Sequence, residues 1–88
     1  MEFDWLEASF DLKALTPRAI EESFEDPFSL RLLPDYDHGE ARYFNLGRSV
    51  EGRGIFSVFW TDGKTMRVVA ARPMTKDEEN FFERKNAE

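Results

Sequence analysis

The dipeptide Asp62-Gly63 fixes more of this chain's fold than any other pair of residues. It stands between Ile55–Thr61 and Thr65–Arg72, two runs rich in β-branched and aromatic side chains. Asp-Gly readily supplies the positive φ of a tight hairpin turn, whose twist matches that of the flanking strands. Residues 55–72 are therefore expected to form a β-hairpin. Within its first strand, Phe56, Val58 and Trp60 alternate onto one face.

Upstream, Ala41–Arg48 reads as another strand, with Arg42, Phe44 and Leu46 on one face and Tyr43 and Asn45 on the other. The turn between these strands falls at Glu51-Gly-Arg-Gly54. Phe28–Leu33 reads as a strand closed by Pro34, and Asp35–Gly39 as a loop. Glu2–Trp5 reads as a short edge strand, and Leu6–Leu15 is expected to hold a helical turn or two.

Thr16-Pro17 opens a helix: threonine caps the first backbone donors and proline is preset for the first helical position. Ala19, Ile20, Ser23 and Phe24 then form one stripe, Glu21, Glu22 and Glu25 face water, and Pro27 stops the run. Thr75-Lys-Asp-Glu78 is a capping box that opens a last helix to about Lys85, anchored by Phe81 and Phe82. Hairpin-linked strands with helices at either end give one α+β domain over residues 1–88, with a mostly antiparallel sheet of three to five strands.

A domain of 88 residues buries only roughly 60–65% of its unfolded surface, so its core must use large side chains. Nine Phe, two Trp and two Tyr supply them. There is no cysteine, which removes disulfides and thiolate metal sites and fits a reducing cytoplasm. Met1–Phe10 carries Glu2, Asp4 and Glu7, unlike a secretory signal. No apolar run approaches the ~20 residues of a membrane-spanning helix.

The net charge of −6 argues against nucleic acid, but its distribution does not. Residues 1–40 carry a balance of −8, residues 41–73 of +4 and residues 74–88 of −2. Five of the six cations in the middle segment are arginine, the side chain that matches phosphate in a fork. A solvated sheet surface would carry the same charges.

Asp35, Asp37, His38 and Glu40 match no standard metal loop, so neither metal nor cofactor is expected. Phosphate chemistry on the basic strands remains. RNA is cleaved without metal when a base takes the 2′-hydroxyl proton, the oxygen attacks phosphorus, cations hold the growing charge and an acid protonates the leaving oxygen. Arginine suits charge-holding and cannot be the base. The proton-transfer candidates are His38, Lys13, Glu78 and Tyr43. Arg67 and Arg72 are five residues apart, which puts them on opposite faces of a regular strand. They share a site only if a bulge intervenes or Arg72 lies beyond the strand end, beside Pro73. Otherwise one stacks on a core aromatic and the other is exposed.

Several short motifs, in order, resemble the BrnT family of toxins. They are Phe24-Glu-Asp-Pro27, His38-Gly-Glu40-Ala-Arg42-Tyr43, Leu46-Gly47 with Ser49 and Gly52-Arg53, Met66-Arg67-Val-Val-Ala-Ala-Arg72, and Thr75 with Glu78. The resemblance implies a RelE-like fold and a metal-independent endoribonuclease. Its implied partners are an RNA substrate and a ribbon-helix-helix antitoxin, through which alone the protein would meet DNA. It places Arg67 and Arg72 on the family's functional arginines, Arg42 on a further basic position, and Lys13 on the lysine of a Lys-His-Gly motif. Here that motif is Lys13-Ala14-Leu15, without the histidine or the glycine. The expected catalytic set is Arg67, Arg72, Lys13, Glu78 and His38, with Arg42, Arg53 and Tyr43 holding RNA. The competing expectation is a non-catalytic module on the same fold, binding a protein partner.

Overall fold

Strand pairing organises the molecule. A computed structural model describes residues 2–5, 15–37 and 40–88, with side chains at all of these except 33–37 and 40. Among them are β1 (Glu2–Phe3), α1 (Pro17–Glu25), β2 (Leu30–Asp37), β3 (Glu40–Arg48), β4 (Gly54–Thr61), β5 (Thr65–Pro73) and α2 (Lys76–Asn86). The strands form one sheet in the order β1-β5-β4-β3-β2. β2 to β5 are an antiparallel meander, and β1 joins β5 in parallel. This is a small α+β fold on a mixed five-stranded sheet. No described helix is long and apolar enough to cross a membrane.

Local signals set both helices. The Thr16 hydroxyl accepts from Ala19 N–H, and Pro17 occupies the first helical position. In α2, Thr75 accepts from Glu78 N–H while Glu78 accepts from Thr75 N–H, the reciprocal capping box. The hairpin loop is held by Asp62 Oδ1, which accepts from Lys64 N and Thr65 N at 2.9 and 2.8 Å. Gly63 carries the positive φ of 97°.

β2 differs from the expected strand. It runs through Pro34 to Asp37 instead of closing there, so Asp35–Asp37 belong to a strand and not to a loop. A register shift between Leu32 and Asp35 absorbs the proline, which lacks a ladder donor. The segment expected to hold a first helical turn lies, but for Leu15, outside the described residues, so α1 is the single helix described before the meander.

α1 packs on β3 and β4 and buries the inner face of the sheet. Ile20, Phe24, Ile55, Phe59, Met66 and Val68 form the core there. Full burial of each such side chain stabilises by about 1.5–3 kcal/mol. Helix and sheet touch closely at Gly47, where a Cβ would collide with the Ser23 carbonyl. Asn45 Nδ2 donates to that carbonyl at 3.3 Å, which satisfies a fully buried amide. α2 meets β3 on the opposite, outer face, with the Arg48 guanidinium 5.2 Å above the Phe82 ring.

Candidate nucleic-acid interface

The outer face of the central hairpin brings two of the expected arginines together. In its register Trp60 pairs with Arg67, Val58 with Ala70, and Phe56 with Arg72. The regular alternation is broken between Val58 and Phe59, where Val69 is the extra residue on β5. This bulge brings Arg67 and Arg72 to the same face, although five residues separate them. Of the two arrangements that would let them share a site, the structure adopts the bulge; Arg72 itself lies within β5.

Each arginine lies over the aromatic ring opposite it. The Arg67 guanidinium is 5.3 Å from the Trp60 ring centroid, and that of Arg72 is 4.4 Å from Phe56. Phe44 of β3 stacks against Phe56 at 5.9 Å, and Arg42 stands on the same face two residues before it. Between the two arginine–aromatic pairs lies a floor of Val58 and Ala70. Phe56 and Trp60, four residues apart on one strand, are separated by roughly 13 Å along it. Phe44, Phe56, Val58 and Trp60 are all half-buried.

Carboxylates flank both arginines. Asp4 Oδ2 is 3.5 Å from Arg67 Nη2. Glu78 binds Arg72 in a fork, with oxygens 2.7 and 2.9 Å from Nη1 and Nη2. The Arg72 hydrogen bonds hold the Glu78 carboxyl below its ordinary range against the opposing effect of partial burial, and the Thr75 N–H adds to the lowering. The same hydrogen bonds raise Arg72. Glu78 is thus an engaged, ionised carboxylate near neutrality, which suits it to positioning Arg72 and not to donating a proton.

The other expected residues fall elsewhere. Tyr43 points to the inner face, where its ring stacks on Phe59 at 5.6 Å beside the core. Arg53 lies in the β3–β4 turn and lines a hollow with Thr16, Arg18 and Glu22 on the α1 side. Lys13 and His38 lie outside the described residues. Among the described residues no cluster of three His, Cys, Asp or Glu side chains is placed to hold a metal ion. Sequence reasoning missed Phe56 and Trp60 as site residues. Their shared face was legible from alternation, but their pairing with Arg72 and Arg67 depends on the hairpin register.

Half-exposed aromatics interleaved with arginines on an open sheet face can stack bases and hold phosphates. No known family model matches the chain, and no curated protein matches it in sequence.

Proposed function

We propose that the outer face binds single-stranded RNA and that the protein is a toxin-like, metal-independent endoribonuclease. The observation that carries this reading is the bulge at Val69, which gives Arg67 and Arg72 a common face with Phe56 and Trp60. A base stacks on Trp60 and another on the Arg72 guanidinium that covers Phe56, while the two arginines meet successive phosphates of the strand, where charge grows during 2′-hydroxyl attack. Lys13 and His38 are the remaining proton-transfer candidates. The BrnT resemblance of the motifs supports the ribonuclease class, a RelE-like fold, a cytoplasmic setting and neutralisation by a ribbon-helix-helix antitoxin.

One observation favours a second reading. Glu78 already occupies the fork of Arg72, as in a degenerate toxin that binds without cleaving. The deciding experiment incubates purified protein with total RNA in EDTA and measures binding to a labelled oligoribonucleotide in parallel. Cleavage that Arg67→Ala abolishes is the expected result. Binding without cleavage selects the second reading, and absence of both overturns the RNA assignment.

A further inference from the structure

A groove of about 670 Å³ opens between the C-terminal ends of α1 and α2 and the β3–β4 turn. None of its lining residues belongs to the arginine–aromatic face, so it is a separate surface. The two exposed large hydrophobic side chains among the described residues, Phe28 at 61% and Val50 at 84%, both line it. Scattered single apolar residues need no explanation, but two on the walls of one groove mark an interaction surface.

These walls are pinned in place. Asp26 accepts from Phe28 N–H through Oδ1 at 2.9 Å and from Arg48 N–H through Oδ2 at 2.8 Å. Glu22 accepts from Val50 N–H at 3.1 Å. Asn86 Nδ2 donates to the carbonyls of Phe28 and Phe82 at 3.2 and 2.9 Å. A prefixed apolar surface loses little conformational freedom on binding.

The charge around the groove is acidic on balance, with Glu22 also paired to Arg18 at 3.4 Å. Glu22, Glu25, Asp26 and Glu83 line it, against the single cation Arg48. Arg48 is itself engaged, with Nη2 3.2 Å from Glu83 Oε1 and its guanidinium over Phe82. The Asn86 amide is also used within the protein, so the polar groups are poorly placed to orient a small molecule. An apolar trough with an anionic rim is complementary to a polypeptide that presents apolar anchors flanked by Lys or Arg.

The geometry points to this groove as the docking site for a basic, apolar-anchored segment of a partner protein. The partner engages at the α1–α2 end while the arginine–aromatic face stays free.

The test pans a random peptide library displayed on phage against the wild-type protein. Enriched peptides are then measured as synthetic, fluorescently labelled molecules. Sequences that combine aromatic or aliphatic anchors with excess Lys and Arg are expected. Phe28→Ser and Val50→Ser leave the charge unchanged and alter only exposed side chains. Each is expected to weaken binding roughly tenfold or more, as loss of an anchor contact does. Glu25→Lys should also weaken it and reduce its salt dependence. Neutral or acidic selected peptides, binding indifferent to Phe28→Ser, or no enrichment would each overturn the proposal. A concentration-dependent dimer dispersed by Phe28→Ser would overturn it too, assigning the groove to a second copy of this chain. Loss of RNA binding in Arg67→Ala with peptide binding intact keeps the two surfaces distinguishable.

Discussion

The Arg72 guanidinium lies in the fork of the Glu78 carboxylate, at 2.7 and 2.9 Å, while its Cζ sits over the Phe56 ring, 4.4 Å from the centroid. Three elements meet in this contact: β5 supplies the cation, β4 the ring and α2 the carboxylate. Two parallel charge-assisted hydrogen bonds fix the guanidinium more tightly than one would. The Arg72 side chain is nonetheless 48% exposed, so the pair contributes no more than about 1 kcal/mol to stability. Its larger consequence is positional, because any anion that bound Arg72 in a fork would have to displace Glu78.

Replacing Glu78 with glutamine keeps an acceptor for the Thr75 N–H and so preserves the cap. It removes the charge that occupies Arg72. Glu78→Gln is therefore expected to bind single-stranded RNA more tightly than wild type. The slope of log affinity against log salt should steepen by about 0.7 if Arg72 gains one phosphate contact. Unchanged affinity and slope would show that Arg72 does not meet phosphate.

The same pair gives a pH signature. Glu78 has a lowered folded value, caused first by the Arg72 hydrogen bonds, so its contribution to stability is present above the unfolded value of about 4.3. That contribution is lost as pH falls through the lowered folded value. Thermal melts of wild type and Glu78→Gln should therefore differ most near neutrality and converge in acid. A gap that widens as pH falls below 4 would contradict the assignment.

Trp60 reports on the face directly. In a Trp5→Phe background it is the single remaining tryptophan, and oligouridylate is expected to quench its fluorescence by stacking. Trp60→Ala should weaken RNA binding by about 1–3 kcal/mol, and Trp60→Phe by less. Quenching without a change in affinity on Trp60→Ala would place RNA near the ring but not upon it.

Features decided by neighbours in sequence were legible in advance. Thr16-Pro17, Thr75 with Glu78 and Asp62-Gly63 act within a few residues, and each forms the cap or turn expected of it. Features decided by pairing were not. Pro34 punctuates a strand when read locally, yet a register shift carries β2 past it. The Val69 bulge depends on how β5 meets Val58 and Phe59, so the common face of Arg67 and Arg72 stood only as one of several possibilities. Tyr43, expected to hold RNA, lies by alternation on the face opposite Arg42 and packs against Phe59.

Gly47 tests the close contact between helix and sheet. A methyl group there meets the Ser23 backbone carbonyl, which no side-chain rotation can move aside. Gly47→Ala is expected to destabilise by about 1–3 kcal/mol, seen as a lower urea midpoint with an unchanged slope. Gly52→Ala opens no such clash, since nothing lies within 4 Å of the added carbon. Its cost comes only from the positive φ of 90°. The first substitution should therefore exceed the second.

The most exacting prediction concerns Val69. Deleting it removes the extra residue and restores a period-two ladder in which Trp60–Arg67, Val58–Ala70 and Phe56–Arg72 remain opposite one another. The shortened hairpin keeps both arginines on the outer face, so the deletion variant should fold and retain RNA affinity within about threefold, less than the cost of one lost stacking contact. A strand without the bulge would place Arg67 and Arg72 on opposite faces, and the deletion would then bring them together and raise affinity well above wild type. Affinity of the deletion variant relative to wild type, with folding checked by its thermal transition, separates the two registers.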